Sequence, residues 1–102
     1  MQPKQYLTEL ESALEQYRFR DVRALTDQVD LASFDLSQIK KVLALIRRKR
    51  QFADLEHAAS LFTMAGREDP VIRRQWCQSL LDQGRVLQAL ATLNFMSQKV
   101  LR

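Results

Sequence analysis

Residues that punctuate or cross-link a chain are scarce here: 102 residues hold two glycines, two prolines and one cysteine. With so few turn-formers and so much Leu, Ala, Gln and Arg, the chain is expected to fold as helices joined by short turns. One cysteine excludes an internal disulfide and suits a reducing compartment, so a cytoplasmic location is expected. One Cys and one His cannot supply the usual ligand number of a zinc site. The two glycines, Gly66 and Gly84, are too far apart for a phosphate-binding loop. No hydrophobic run approaches membrane-spanning length, and the opening MQPKQYLTEL lacks the apolar centre of a signal peptide. The net charge of +4 is moderate. It permits an acidic partner or nucleic acid without demanding either.

The most informative stretch is Asp69 to Leu93, DPVIRRQWCQSLLDQGRVLQALATL. Asp69 is a natural N-cap, and Pro70 fits the first helical position, where no N–H is needed. Ile72, Trp76 and Leu80 follow at four-residue spacing, widened by Cys77 and Leu81. Gly84 then leaves the helix through a left-handed turn at no steric cost. A second apolar run, Val86, Ala89, Leu90 and Leu93, starts at once. The stretch therefore predicts an αα-hairpin.

Read from the start, Gln5 to Tyr17 carries the helical stripe Leu7, Leu10, Leu14 and Tyr17, with Tyr6 beside it. A tight turn at RFRD (18–21) precedes a shorter helix marked by Phe19, Val22, Leu25 and Val29. DLASFD (30–35) is the longest stretch without periodicity. Asp35 and Gln38 form a capping-box pattern, so a third helix is expected from Leu36. Its buried face is expected to be Leu36, Ile39, Val42, Leu43 and Ile46, and RRKRQ (47–51) closes it with cations where the helix dipole favours them. Phe52, Leu55, Ala58, Ala59 and Phe62 define a fourth helix that ends at Ala65-Gly66. REDP then leads into the hairpin at 69–93, whose last helix runs from about Arg85 to Met96 or beyond.

The hairpin recurs. Aligning the three turns on Phe19, Phe52 and Val86 gives spacings of 33 and 34 residues. Three residues further on stand Val22, Leu55 and Ala89. In the preceding helices Leu10 aligns with Leu43 and Cys77, and Ala13 with Ile46 and Leu80. The turn position itself is Tyr17, Arg50 and Gly84. Two helices per period of about 34 residues resembles the tetratricopeptide repeat. The resemblance implies an all-α chain of three stacked antiparallel hairpins, about 3–30, 35–66 and 69–98, in a short right-handed solenoid. The second and third hairpins are also similar to helical-repeat regions of bacterial multidomain proteins, where they precede trypsin-like or caspase-like effector domains. The finish at QKVLR, with Phe95, Met96, Val100 and Leu101, lacks the polar capping helix with which repeat arrays end. The chain is therefore expected to be a fragment of a longer protein, or to dock its apolar end on a partner or on a second copy.

Cys77 and His57 are the candidate catalytic side chains. Cys77 sits mid-helix on an apolar face, which suits a small buried residue at a helix crossing better than a nucleophile with a base in contact. His57, in EHAA, reads as a partly exposed residue on a helix flank. The carboxylates are scattered, so no enzyme, cofactor or metal is expected.

Lys40, Lys41, Arg47, Arg48, Lys49 and Arg50 form a basic cluster on the third helix or its end. In the tetratricopeptide scheme, fixed positions of each first helix line a concave groove. The resemblance assigns to it Lys4, Leu7, Glu11, Leu14 and Glu15, then Ser37, Lys40, Ala44, Arg47 and Arg48, then Val71, Arg74, Gln78, Leu81 and Asp82. Lys40, Arg47, Arg48, Arg74 and Gln78 are the candidate partner-binding residues. The expected function is a non-catalytic protein–protein interaction module that holds a partner segment or neighbouring domain, acidic if the basic groove receives it. Nucleic-acid binding through the Lys40–Arg50 cluster is the alternative, though no aromatic residues interleave the cations. A structural oligomerisation domain is a further one. Nothing in the sequence implies a membrane partner.

Overall fold

The computed structural model describes residues 1–66 and 69–100, with side chains described as far as Leu93 in the last helix. Among these residues there are six α-helices, one 3₁₀ turn and no strand: α1 (Pro3–Glu15), α2 (Phe19–Asp27), α3 (Leu36–Arg48), α4 (Phe52–Met64), α5 (Pro70–Asp82) and α6 (Val86–Val100), with the 3₁₀ turn at Leu31–Ser33. The all-α expectation is met. None of the helices is long and apolar enough to cross a membrane.

The start signals act as their chemistry requires. The Asp35 carboxylate accepts from the Gln38 N–H at 2.8 Å, and the Gln38 side chain accepts from the Asp35 N–H at 2.9 Å, a complete capping box. Asp69 accepts from the Val71 N–H at 2.8 Å, with Pro70 behind it at the first helical position.

The stop signals repeat. Arg18 N–H donates to the Ala13 carbonyl at 2.8 Å, Gln51 to Ile46 at 3.4 Å, and Arg85 to Leu80 at 2.9 Å. The residue before each donor is left-handed: Tyr17 at φ 58°, Arg50 at 59°, Gly84 at 75°. The N–H groups of Tyr17, Arg50 and Gly84 donate in turn to Leu14, Arg47 and Leu81. This pair of bonds is a Schellman stop, and it falls on residues aligned at 33 and 34 positions apart. α1 also ends sooner than its stripe suggests. Tyr17 is no part of the buried face; it forms the turn and is 70 % exposed.

The main core joins α1 to α5. Tyr6, Leu10 and Leu14 of α1 meet Val42, Leu43 and Ile46 of α3, Leu55, Ala58, Ala59 and Phe62 of α4, and Ile72 of α5. Phe34 lies at its centre, edge-on to Tyr6 (5.6 Å between centroids) and to Phe62 (5.3 Å). The segment that looks like a loop in sequence therefore carries one of the largest fully buried side chains. Asp30 caps the 3₁₀ turn and Asp35 caps α3, and Phe34 is driven inward between them.

α1 packs beside α3, α3 beside α5, and α2 beside α4, while α4 and α5 meet along a broad contact. The expected α3 face holds at Ile39, Val42, Leu43 and Ile46, while Leu36 at the helix start is 37 % exposed and Leu45 is buried in addition. Trp76 is half-buried rather than enclosed, and bridges the main core to a small cluster of Cys77, Leu80 and Ala89. In α6 only Ala89 of the expected apolar face is buried. Val86, Leu90 and Leu93 are each 44–52 % exposed, as is Leu81 of α5. The REDP connection at Arg67 and Glu68 lies outside the described residues. So do Leu101 and Arg102, and the side chains of Phe95, Met96 and Val100, so the expected apolar finish falls there too.

Candidate functional site

The five candidate residues come from α3 and α5, which lie side by side. Lys40, Arg48, Arg74 and Gln78 are exposed. Lys40 and Arg74 occupy equivalent positions in their hairpins, 34 residues apart, and neither makes an ion pair or hydrogen bond with the described residues.

Arg47, expected as a partner-binding cation of the groove, is already engaged within the chain. Its Nε donates to Gln75 Oε1 at 2.6 Å, its Nη2 to the Gln75 carbonyl at 3.4 Å, and its Nη1 to Asp82 Oδ2 at 3.1 Å. The guanidinium also lies 5.9 Å from the centre of the Phe52 ring. Planar, fork-shaped and always charged, arginine suits such a multi-point bond. Arg47 is therefore a clamp between α3 and α5, not a free contact. Gln78 is drawn into the same network, donating to the other Asp82 oxygen at 3.1 Å.

Carboxylates approach the basic face from the other side as well. Arg48 shares a dent of about 140 Å³ with Glu11, Leu14 and Glu15 of α1 and with Leu45 and Lys49. No ion pair closes across it. The face thus alternates: acidic α1 residues, then Arg48 and Lys40, then the neutralised Arg47–Asp82 pair, then Arg74. Lys49 and Arg50, the end of the basic run, turn toward aromatic rings instead. Lys49 sits 5.1 Å from the Tyr17 ring centre and Arg50 5.8 Å from that of Phe52.

Cys77 and His57 have separate partners. The Cys77 thiol is buried and donates to the Ala89 carbonyl at 3.5 Å, and burial pushes its pKa up. A raised thiol pKa leaves little of the nucleophilic thiolate. His57 Nε2 lies 2.8 Å from Asp27 Oδ1, tying α4 to α2. Beside it Arg23 reaches Asp54 at 3.6 Å and the Ala53 carbonyl at 3.4 Å. Burial raises the Asp54 pKa, against the opposing pull of Arg23 and His57. Among the described residues no three His, Cys, Asp or Glu side chains gather as metal ligands would.

A further polar network, built by Gln83 and Arg85, escapes a sequence reading. Gln83 donates to the Phe52 carbonyl at 3.3 Å and to Glu56 at 3.2 Å, and Arg85 pairs with the same Glu56. They fasten the α5–α6 turn to α4. Their partners lie 27 to 31 residues apart, so only the period of about 34 could have hinted at them. Comparison with known protein families, with curated proteins and with solved structures returns no match for this chain.

Proposed function

We propose that this chain is a non-catalytic protein–protein interaction module. In this reading three tetratricopeptide-like hairpins stack as a short solenoid, and the face made by their first helices holds a partner segment. One observation carries it: Lys40 and Arg74 stand unpaired at equivalent places on adjacent helices that Arg47 clamps together. A pair of exposed cations one hairpin apart, on helices held together, is suited to two carboxylates spaced along one acidic segment. Arg48 and Gln78 add a third cation and an amide beside them. Asp82, Glu11 and Glu15 break up the positive field, which favours a segment of mixed charge over a uniform polyanion.

The test is a calorimetric titration with short Glu- and Asp-rich peptides and, in parallel, with a single-stranded oligonucleotide, each at low and at physiological salt. Peptide binding that Lys40→Glu with Arg74→Glu abolishes supports the proposal. Oligonucleotide binding alone, weakening by orders of magnitude as salt rises, would replace it with phosphate recognition. Arg47 is unsuitable for this test, because its reversal would set two carboxylates against each other at Asp82 and unclamp the helices.

A further inference from the structure

The turns that close the first two hairpins meet at one edge of the molecule. Lys49 Nζ lies 5.1 Å from the centre of the Tyr17 ring, and the Phe19 ring stands at 87° to it with 5.8 Å between centroids. The next residue of the second turn, Arg50, lies 5.8 Å from the centre of the Phe52 ring. Residues 40–50 contain no aromatic side chain, so in sequence that run is bare charge. The fold supplies the rings, from the first turn and from the start of α4.

The turns do not need this chemistry. Tyr17 and Arg50 are left-handed, φ 58° and 59°, a conformation that a side chain resists and glycine does not. The third hairpin makes the same turn with Gly84, pairs the following Arg85 with Glu56, and has Val86 where the others have Phe19 and Phe52. Packing does not account for Tyr17 either, since it is 70 % exposed. Backbone strain of this kind gathers at functional sites.

Nor is the charge of this edge cancelled. Arg20, Lys49 and Arg50 make no ion pair with the described residues. Asp21 is taken by Arg18 at 2.8 Å, and Glu15, which lines a dent with Lys49, closes no ion pair across it. Residues 17–21 line a hollow of about 460 Å³ beside them. An exposed ring among unneutralised cations offers stacking and phosphate contact together, the combination that holds single strands without regard to sequence. An acidic peptide would use the cations and leave the ring idle. A duplex would keep its base faces from the ring.

We propose that this edge binds single-stranded nucleic acid, with a base stacked on Tyr17 and the adjoining phosphates on Arg20, Lys49 and Arg50. The site uses neither Lys40 nor Arg74, so it and the peptide face can fail separately. The test is fluorescence anisotropy of the full chain with a labelled single strand of about 12 nucleotides, beside a duplex and a polyglutamate of equal charge. The single strand should bind tightest. Tyr17→Gly removes the ring, keeps every charge and suits the left-handed turn. It should weaken the single strand about tenfold, whereas Tyr17→Phe should bind as the wild type does. Lys49→Gln with Arg50→Gln should lower the slope of log affinity against log salt by about 0.7 for each cation. No binding of the single strand at low salt overturns the proposal. So does equal affinity for the duplex or the polyglutamate, binding that Tyr17→Gly leaves intact, or a salt slope that the glutamines leave unchanged.

Discussion

Tyr17 and Arg50 hold the same left-handed backbone, φ 58° and 59°, at the place where Gly84 closes the third hairpin at 75°. A side chain in that conformation costs about 1–2 kcal/mol. The first two hairpins bear that strain and the third does not. Gly84→Ala should therefore lose about 1 kcal/mol in urea unfolding. A Cβ there would meet nothing within 4 Å, so the whole loss is conformational. Arg50→Gly should gain up to about 1 kcal/mol, after the lost contact with Phe52 and the greater freedom of unfolded glycine are deducted. Equal and neutral effects at both sites would show that the turns are not equivalent.

Tyr6 gives the fold an alkaline limit. Its hydroxyl lies 2.9 Å from Thr26 Oγ1, which itself donates to the Val22 carbonyl, so Tyr6 is the donor of the pair. Burial pushes its pKa up from 10.0 to about 12. The folded pKa exceeds the unfolded one, so this contribution is fully present below pH 10 and is lost as pH rises through 12. The loss amounts to about 2–3 kcal/mol at the upper end. Denaturation midpoints measured from pH 9 to 12 should fall more steeply for the wild type than for Tyr6→Phe. The variant itself should be about 1–2 kcal/mol less stable at neutral pH, where Thr26 loses its donor.

Arg47 acts through shape as well as charge. Arg47→Lys keeps the charge but cannot reach Gln75 and Asp82 together, and should cost about 1 kcal/mol. A double-mutant cycle of Arg47→Met with Asp82→Asn should return a coupling of about 0.5–1 kcal/mol, as for partly exposed pairs. No coupling would mean that the two side chains do not meet in solution.

Cys77 should behave as a buried packing residue. Labelling of the native protein by a thiol reagent should be slow and should accelerate on adding denaturant, because the thiol is enclosed and its pKa is raised. Fast modification of the folded chain would point to an accessible thiolate.

The helices were legible in the sequence wherever local chemistry decides. Asp35 with Gln38, and Asp69 with Pro70, mark helix starts because each cap is complete within four residues. The three stops were legible through alignment, although Tyr17 and Arg50 are poor left-handed residues, because the 33- and 34-residue spacings tie them to Gly84. Phe34 was not legible. It belongs to no periodic stripe, and only a lone aromatic between two capping aspartates hinted at its inward course. The α6 face was misjudged for a related reason: periodicity shows which side chains share a face, not whether anything covers it. In the candidate site, Lys40 and Arg74 are named by the basic cluster and by the groove positions that the tetratricopeptide resemblance implies, counted from the aligned turns. The neutralisation of Arg47 was not legible, since it depends on Asp82 reaching back across 35 residues.

The most direct measurement of the interaction-module reading is residue-level mapping by heteronuclear NMR while an acidic peptide is titrated in. Shift changes should concentrate on Lys40, Arg48, Arg74 and Gln78, saturate with one peptide per chain, and disappear in Lys40→Glu with Arg74→Glu while helical content is preserved. Shifts confined to α2, α4 and α6, or none at any peptide concentration, would contradict it.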